Sequence, residues 1–350
     1  MRLSRRQLNR TLLARQHLLE RTDGSAFEMV DHLVGLQAQA PMPPYLGLAA
    51  RLRSFDPYDV TRGLEDRSFV RLLTLRSTVH LLTADDALSL RQWTQPVQDR
   101  ERTVSVNTRD SRHLDADDVR SALRQVLADG PLALARLGER LAERWPEIPP
   151  QQLAGVARVD APLAQLPPRG TWQGSGGVVY DFVDSWVGRP LADPDVPELV
   201  RRYLRASGPA SAADVVAWSG RTGLATVLAA MDGLEVHEDE DGKRLYDVSD
   251  GEVVDADAAA PVRLLGTYDN VWLSHSGRDR VTTREHRRRW MGANGGTGCA
   301  VFVDGMLEGL WRSDDYRPEI IELFRTLTKA EKSGLDDELD RVRTLLTTGR

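Results

Sequence analysis

Residues 208–248 constrain the fold of this chain more tightly than any other stretch. Gly208-Pro209-Ala210-Ser211 leads into the apolar run Ala212 to Trp218, Ser219-Gly220 breaks it, and a second helical pattern runs from Leu224 to Met231. Ser211 stands where a helix N-cap is wanted and Gly220 where the chain must fold back, so the stretch reads as a helix–turn–helix. Leu234 to Val248 follows, with Asp241-Gly242 at its centre, which is the pattern of a hairpin. Helix–turn–helix followed by hairpin is a winged helix.

The same order partly recurs upstream. Leu3 to Glu20 and Ser25 to Gln37 carry apolar residues at helical spacing, Asp56-Pro57 opens another helix, and Phe69 to Leu73 and Thr78 to Leu82 alternate as paired strands. Leu114 to Asp129 and Ala133 to Arg144 read as helices, Val156 to Val159 and Val178 to Phe182 as strands. Beyond the third unit, Val262 to Leu273 and Ala300 to Arg312 read as strands, the latter pair turning at Asp304-Gly305, and Arg317-Pro318 opens a terminal helix. The expected organisation is helix-dominated α+β: winged-helix units over residues 1–110, 111–190 and 191–255, then a β-rich module with a closing helix over 256–350.

Composition narrows the chemistry. No apolar stretch among the 350 residues reaches membrane-span length, and the N-terminus lacks a signal-peptide core, which predicts a cytoplasmic protein. The single cysteine, Cys299, excludes an intrachain disulfide or thiolate cluster, and the seven histidines show no ligand spacing, so no metal or other cofactor is expected. Lysine occurs only at 243, 329 and 332, which leaves the N-terminal half without a lysine amine for Schiff-base chemistry and the N-terminal amine as the remaining candidate. The glycine-rich run Gly292 to Gly298 lacks the Lys-Ser/Thr of a phosphate loop and reads as a loop near the ligand. Net charge is −6, yet basic residues cluster at Arg2, Arg5, Arg6, Arg10 and Arg15 and again from Arg278 to Arg289, while 232–257 is acidic. Segregation of this kind is compatible with a phosphate-binding channel whose acidic wing faces solvent.

The polar step Leu36-Gln37-Ala38-Gln39-Ala40-Pro41 is the candidate site. On a helix the two amides would point about 200° apart, so they face one target only if the helix breaks, and Pro41 is expected to break it. From spacing alone the simpler reading is that they cap and solvate a helix end.

Four segments together resemble the winged-helix DNA glycosylases of the AlkZ-like family: Val34-Gly35-Leu36-Gln37-Ala38-Gln39-Ala40-Pro41, Arg76-Ser77-Thr78-Val79-His80-Leu81-Leu82, Gly208-Pro209 through Gly220, and Tyr268-Asp269-Asn270-Val271-Trp272-Leu273-Ser274-His275 with Arg278 and Arg280. The resemblance spans nearly the whole chain. It implies three winged-helix motifs around a C-shaped DNA channel, Gln37 and Gln39 as the catalytic pair, and a hairpin that enters the minor groove. Gly266-Thr267-Tyr268 and Trp272 depart from the family's pattern in that hairpin.

Glutamine has no useful pKa, so such a site needs a substrate already activated. N7-alkylguanine is one, because alkylation makes the base a cationic leaving group. The expected reaction is monofunctional excision by water attack at C1′, with the Gln37 and Gln39 carbonyls orienting water and their NH₂ groups on phosphate or sugar. The expected partner is double-stranded DNA containing alkylated or crosslinked guanine, bound by a nucleoid-associated monomer through Arg76, His80, Asp269, Asn270, His275, Arg278, Arg280, Arg287 and Arg288. Two alternatives stay open from the residues alone: a winged-helix transcriptional regulator, and a non-enzymatic protein that sequesters lesions or toxin.

Overall fold

A computed structural model describes residues 1–291 and 298–349. Its centre is an antiparallel sheet of six short strands in the order Leu36–Gln37, Val79–Thr83, Phe69–Leu73, Leu163–Gln165, Val179–Phe182, Leu132–Ala133. Arg71 pairs with Gln165 and Leu72 with Ala164, so the sheet runs without interruption from the first expected unit into the second. Successive side chains on a strand alternate faces, and here both faces are covered. Phe69, Leu73, Val79 and Leu81 enter one core with Leu153, Trp172 and Leu345, whereas Val70, Leu72 and Leu82 enter another with Leu204, Val215 and Trp218. His80 shares the face of Leu82, which turns it toward the third unit.

That third unit has the form read from sequence. Helix Ala212–Ser219 starts on a capping box of Ser211 and Asp214 and ends on left-handed Gly220. Helix Leu224–Ala230 and the hairpin Leu234–Asp239 with Arg244–Val248 follow. Strand Arg2–Leu3 adds to this hairpin in parallel, which ties the chain's start to the acidic wing.

Elsewhere the structure corrects the sequence reading. The second helix is Ala26–His32 and ends nine residues before Pro41, because Val34 (φ 54°) and Gly35 (φ 91°) form a left-handed turn. Val156 to Val159 lies inside helix Pro150–Asp160, and helices Ala84–Trp93 and Gln95–Val104 add to the elements expected. The C-terminal sheet runs Arg263–Leu265, Cys299–Val303, Met306–Asp314, Arg317–Leu323, turning at Asp304 and Gly305 as anticipated. Arg317-Pro318 therefore opens a strand. Pro318 sits on its edge, where a missing N–H is tolerated, and the last helix, Lys329–Thr347, begins on the Thr328 and Glu331 capping box. Of the stretch 262–273 only three residues are strand, and Asn270–Leu273 is a helical turn, so no hairpin forms at 268–275. Gly292 to Thr297 lie outside the described residues. No described helix is long and apolar enough to cross a membrane.

Candidate active site

The left-handed turn at Val34-Gly35 drops the chain into the edge strand Leu36–Gln37, where Gln37 pairs with His80. A Cβ on Gly35 would come within 2.3 Å of Leu82, so glycine is required for both its conformation and its space. Asn270 fixes this turn by donating from Nδ2 to the Gly35 carbonyl at 2.9 Å. Past the strand, Ala38 N–H donates to Val79 O at 2.7 Å and Arg71 donates to Ala38 O at 2.9 Å. Gln37 thus lies in the edge strand and Gln39 in the bend that follows it, so neither sits on a broken helix.

Their amide orientations are settled by donor-only partners. Arg76 Nη2 donates to Gln37 Oε1 at 3.0 Å, and Val79 N–H donates to Gln39 Oε1 at 3.1 Å. Both carbonyl oxygens are therefore turned to the protein, each with a second lone pair, and both NH₂ groups are turned away. Gln37 is buried and Gln39 exposed.

Arg76 organises the rest. It and Ser77 are consecutive left-handed residues, φ 53° and 57°, a strain of about 1–3 kcal/mol each that clusters at functional positions. The bend is held from outside: Ser77 donates to Gln98 Oε1 and Gln98 Nε2 to Thr74 O, both at 2.7 Å. The guanidinium also donates to Trp218 O in the third unit and, through Nη2, to His80 Nε2 at 3.2 Å. His80 Nδ1 lies 3.0 Å from Thr78 O, which can only accept. The proton is therefore on Nδ1 and Nε2 carries a lone pair. Burial first, then the Arg76 charge, lowers the His80 pKa to about 3, so the ring is neutral.

The arginine-rich segments divide sharply. At the N-terminus, Arg5 meets Asp241, Arg6 and Arg10 meet Asp304, and Arg15 meets Asp247. That run serves the fold. Arg278, Arg287 and Arg288 have no carboxylate partner among the described residues. Burial first, then Arg287, lowers the Arg278 pKa, and burial first, then Arg278, lowers that of Arg76 to about 10. Arg76, Arg278 and Arg287 thus form a chain of like charges that an anion would relieve.

Five expected DNA contacts face inward instead, His80 among them at 2 % exposed. Asp269 is 4 % exposed, and Arg51 holds both its oxygens at 2.7 Å. Asn270 is occupied by the Gly35 turn. His275 is buried beside Asp214, and Arg280 lines the same crevice, under the acidic wing. Arg51 was not anticipated, since its partner is 218 residues away.

No cluster of three or more potential metal ligands occurs among the described residues. Similarity to known proteins places the chain among the DNA glycosylases, hydrolases of N-glycosyl bonds. The chain belongs to that class through the AlkZ-like DNA glycosylase family, whose profile matches residues 30–345. It is similar to an interstrand DNA cross-link repair glycosylase of Streptomyces sahachiroi, 27% identical over 341 residues, 90% of this chain and 89% of the relative. Its fold matches the solved Streptomyces sahachiroi DNA glycosylase AlkZ with a TM-score of 0.81 at 22% identity, covering 100% of this chain and 98% of that one.

Proposed function

We propose that this protein is a monofunctional glycosylase that releases N7-alkylguanine from duplex DNA by water attack at C1′, and that it unhooks interstrand crosslinks made through that atom. The observation that carries the reading is the site itself: two amides and a neutral imidazole, with no acid to protonate a leaving base. A neutral base would stay attached, whereas an N7-alkylated guanine leaves uncharged. The crevice behind Arg76 and His80, about 10 Å³, has room for a single water and is lined by neither glutamine. Gln39 is exposed, so the lesion would meet the amides at the protein surface, which suits bulky adducts and crosslinks, and the Streptomyces relative is named for cross-link repair. Arg76, Arg278, Arg287 and Arg288 would hold the phosphates, and the paired N-terminal arginines would not. The role that follows is repair of alkylation damage or self-protection against a genotoxin, by a cytoplasmic monomer.

The test is incubation with duplexes carrying N7-methylguanine or a nitrogen-mustard crosslink. The expected products are free base, abasic sites that break only in alkali, and unhooked strands. DNA binding without release from either substrate would refute the proposal, and a preference for an undamaged sequence would move it to the regulator.

A further inference from the structure

We propose that His80 Nε2 takes the proton of the attacking water, and that Arg76 covers the water's position until a DNA phosphate draws it off. The inference deepens the glycosylase reading and rests on it. One nitrogen, Arg76 Nη2, donates to Gln37 Oε1 at 3.0 Å and to His80 Nε2 at 3.2 Å. A water oxygen in its place would direct its two hydrogens to the same two acceptors. The NH₂ group thus marks a water site built by cross-strand neighbours.

Arg76 has reason to leave. Its charge faces that of Arg278 in a desolvated setting, and beside an oxocarbenium ion a guanidinium would raise the barrier. A phosphate takes up the guanidinium in a charge-assisted pair, and the exchange frees both acceptors at once.

The step balances without a co-reactant. The C1′–N9 bond breaks, its electron pair goes to the cationic base, and the alkylguanine leaves neutral. Water oxygen bonds to C1′, and one water proton passes to Nε2, giving an imidazolium that Nδ1–H···O=C of Thr78 keeps aligned. The oxonium formed on C1′ is a far stronger acid than imidazolium, so even a weak base accepts its proton. Gln37 can orient the water but has no basicity to accept the proton.

Single-turnover release of N7-methylguanine at saturating protein tests this, beside anisotropy on an undamaged duplex and thermal melts. In His80→Asn the amide keeps a donor for Thr78 O, and in His80→Gln it keeps a neutral acceptor near Nε2. Both are expected to lose about 100-fold in rate with DNA affinity unchanged. Arg76→Ala is expected to bind DNA more weakly, an effect absent from the two His80 variants. In ¹⁵N-histidine spectra, the Nε2 resonance of free Arg76→Ala is expected to match DNA-bound rather than free wild type. Full activity in either His80 variant, or an Nε2 resonance in wild type that DNA leaves unmoved, overturns the inference. Absence of release by wild type would instead refute the glycosylase reading itself.

Discussion

Replacing Asp269 with Asn is expected to cost the protein stability and leave DNA affinity untouched, the reverse of what a groove-contacting residue would do. Asp269 and Arg51 have fully buried side chains joined by two bonds of 2.7 Å, and Asp269 Oδ1 also caps the next helical turn through Val271 N–H at 3.0 Å. Arg51 further donates to Gly47 O and Gln16 Oε1, so it has no route to solvent when its counter-charge is removed. A buried cation left unpaired costs about 3–5 kcal/mol. With an unfolding entropy of about 2.1 cal/mol/K per residue, a chain of this size has roughly 0.7 kcal/mol/K, so Tm should fall by about 4–7 °C. Calorimetry and anisotropy on an undamaged duplex provide the two readouts, and Arg51→Met/Asp269→Leu should recover most of the loss. An unchanged Tm with weakened DNA binding would refute the structural role and return Asp269 to the groove.

Further outcomes follow from neighbouring geometry. Gly35→Ala places a methyl 2.3 Å from Leu82 on a φ of +91°, and urea denaturation should show a loss of about 2–4 kcal/mol together with slower base release. Arg278→Ala and Arg287→Ala should each weaken binding to any duplex and reduce the slope of log K against log salt by about 1. Burial first, then neighbouring cations, holds His80 and His275 down to about 3, below the 6.5 of an unfolded histidine. The unfolded chain then binds more protons than the fold between those values, so stability present at pH 7 is lost as pH falls through that window. Asp214 adds to the loss below about pH 4. Burial would raise its pKa, but His275, which titrates with it, and hydrogen bonds from Ser211 and Ser276 hold it below the usual carboxylate range. Thermal melts from pH 7.5 to 4 should decline steadily, and a flat profile would contradict this.

What the sequence disclosed depended on how local the cause was. The third unit was legible because its signals, the Ser211 cap and the Gly220 turn, act within a few residues. Gln37 and Gln39 were legible as a pair but not in their setting. Helical periodicity runs through Leu33, and the turn that ends the helix depends on Asn270, more than 230 residues away. Proline misled in two places: the helix expected to end at Pro41 already stops at His32, and at 318 proline suits an edge strand as well as the first turn of a helix, where only the pairing with Ser313 decides. The two arginine runs look alike in sequence. What separates them is Asp304 and Asp247, which reach the N-terminal run across more than 230 residues, whereas Arg278, Arg287 and Arg288 meet no carboxylate among the described residues.

The central claim is that the two amides carry the hydrolysis. Single-turnover release of N7-methylguanine by Gln37→Ala/Gln39→Ala, with melting temperature and duplex affinity measured on the same preparation, tests it most directly. The account predicts a folded protein that binds DNA and has lost at least about 100-fold in rate. Release at the wild-type rate by that folded variant would contradict it.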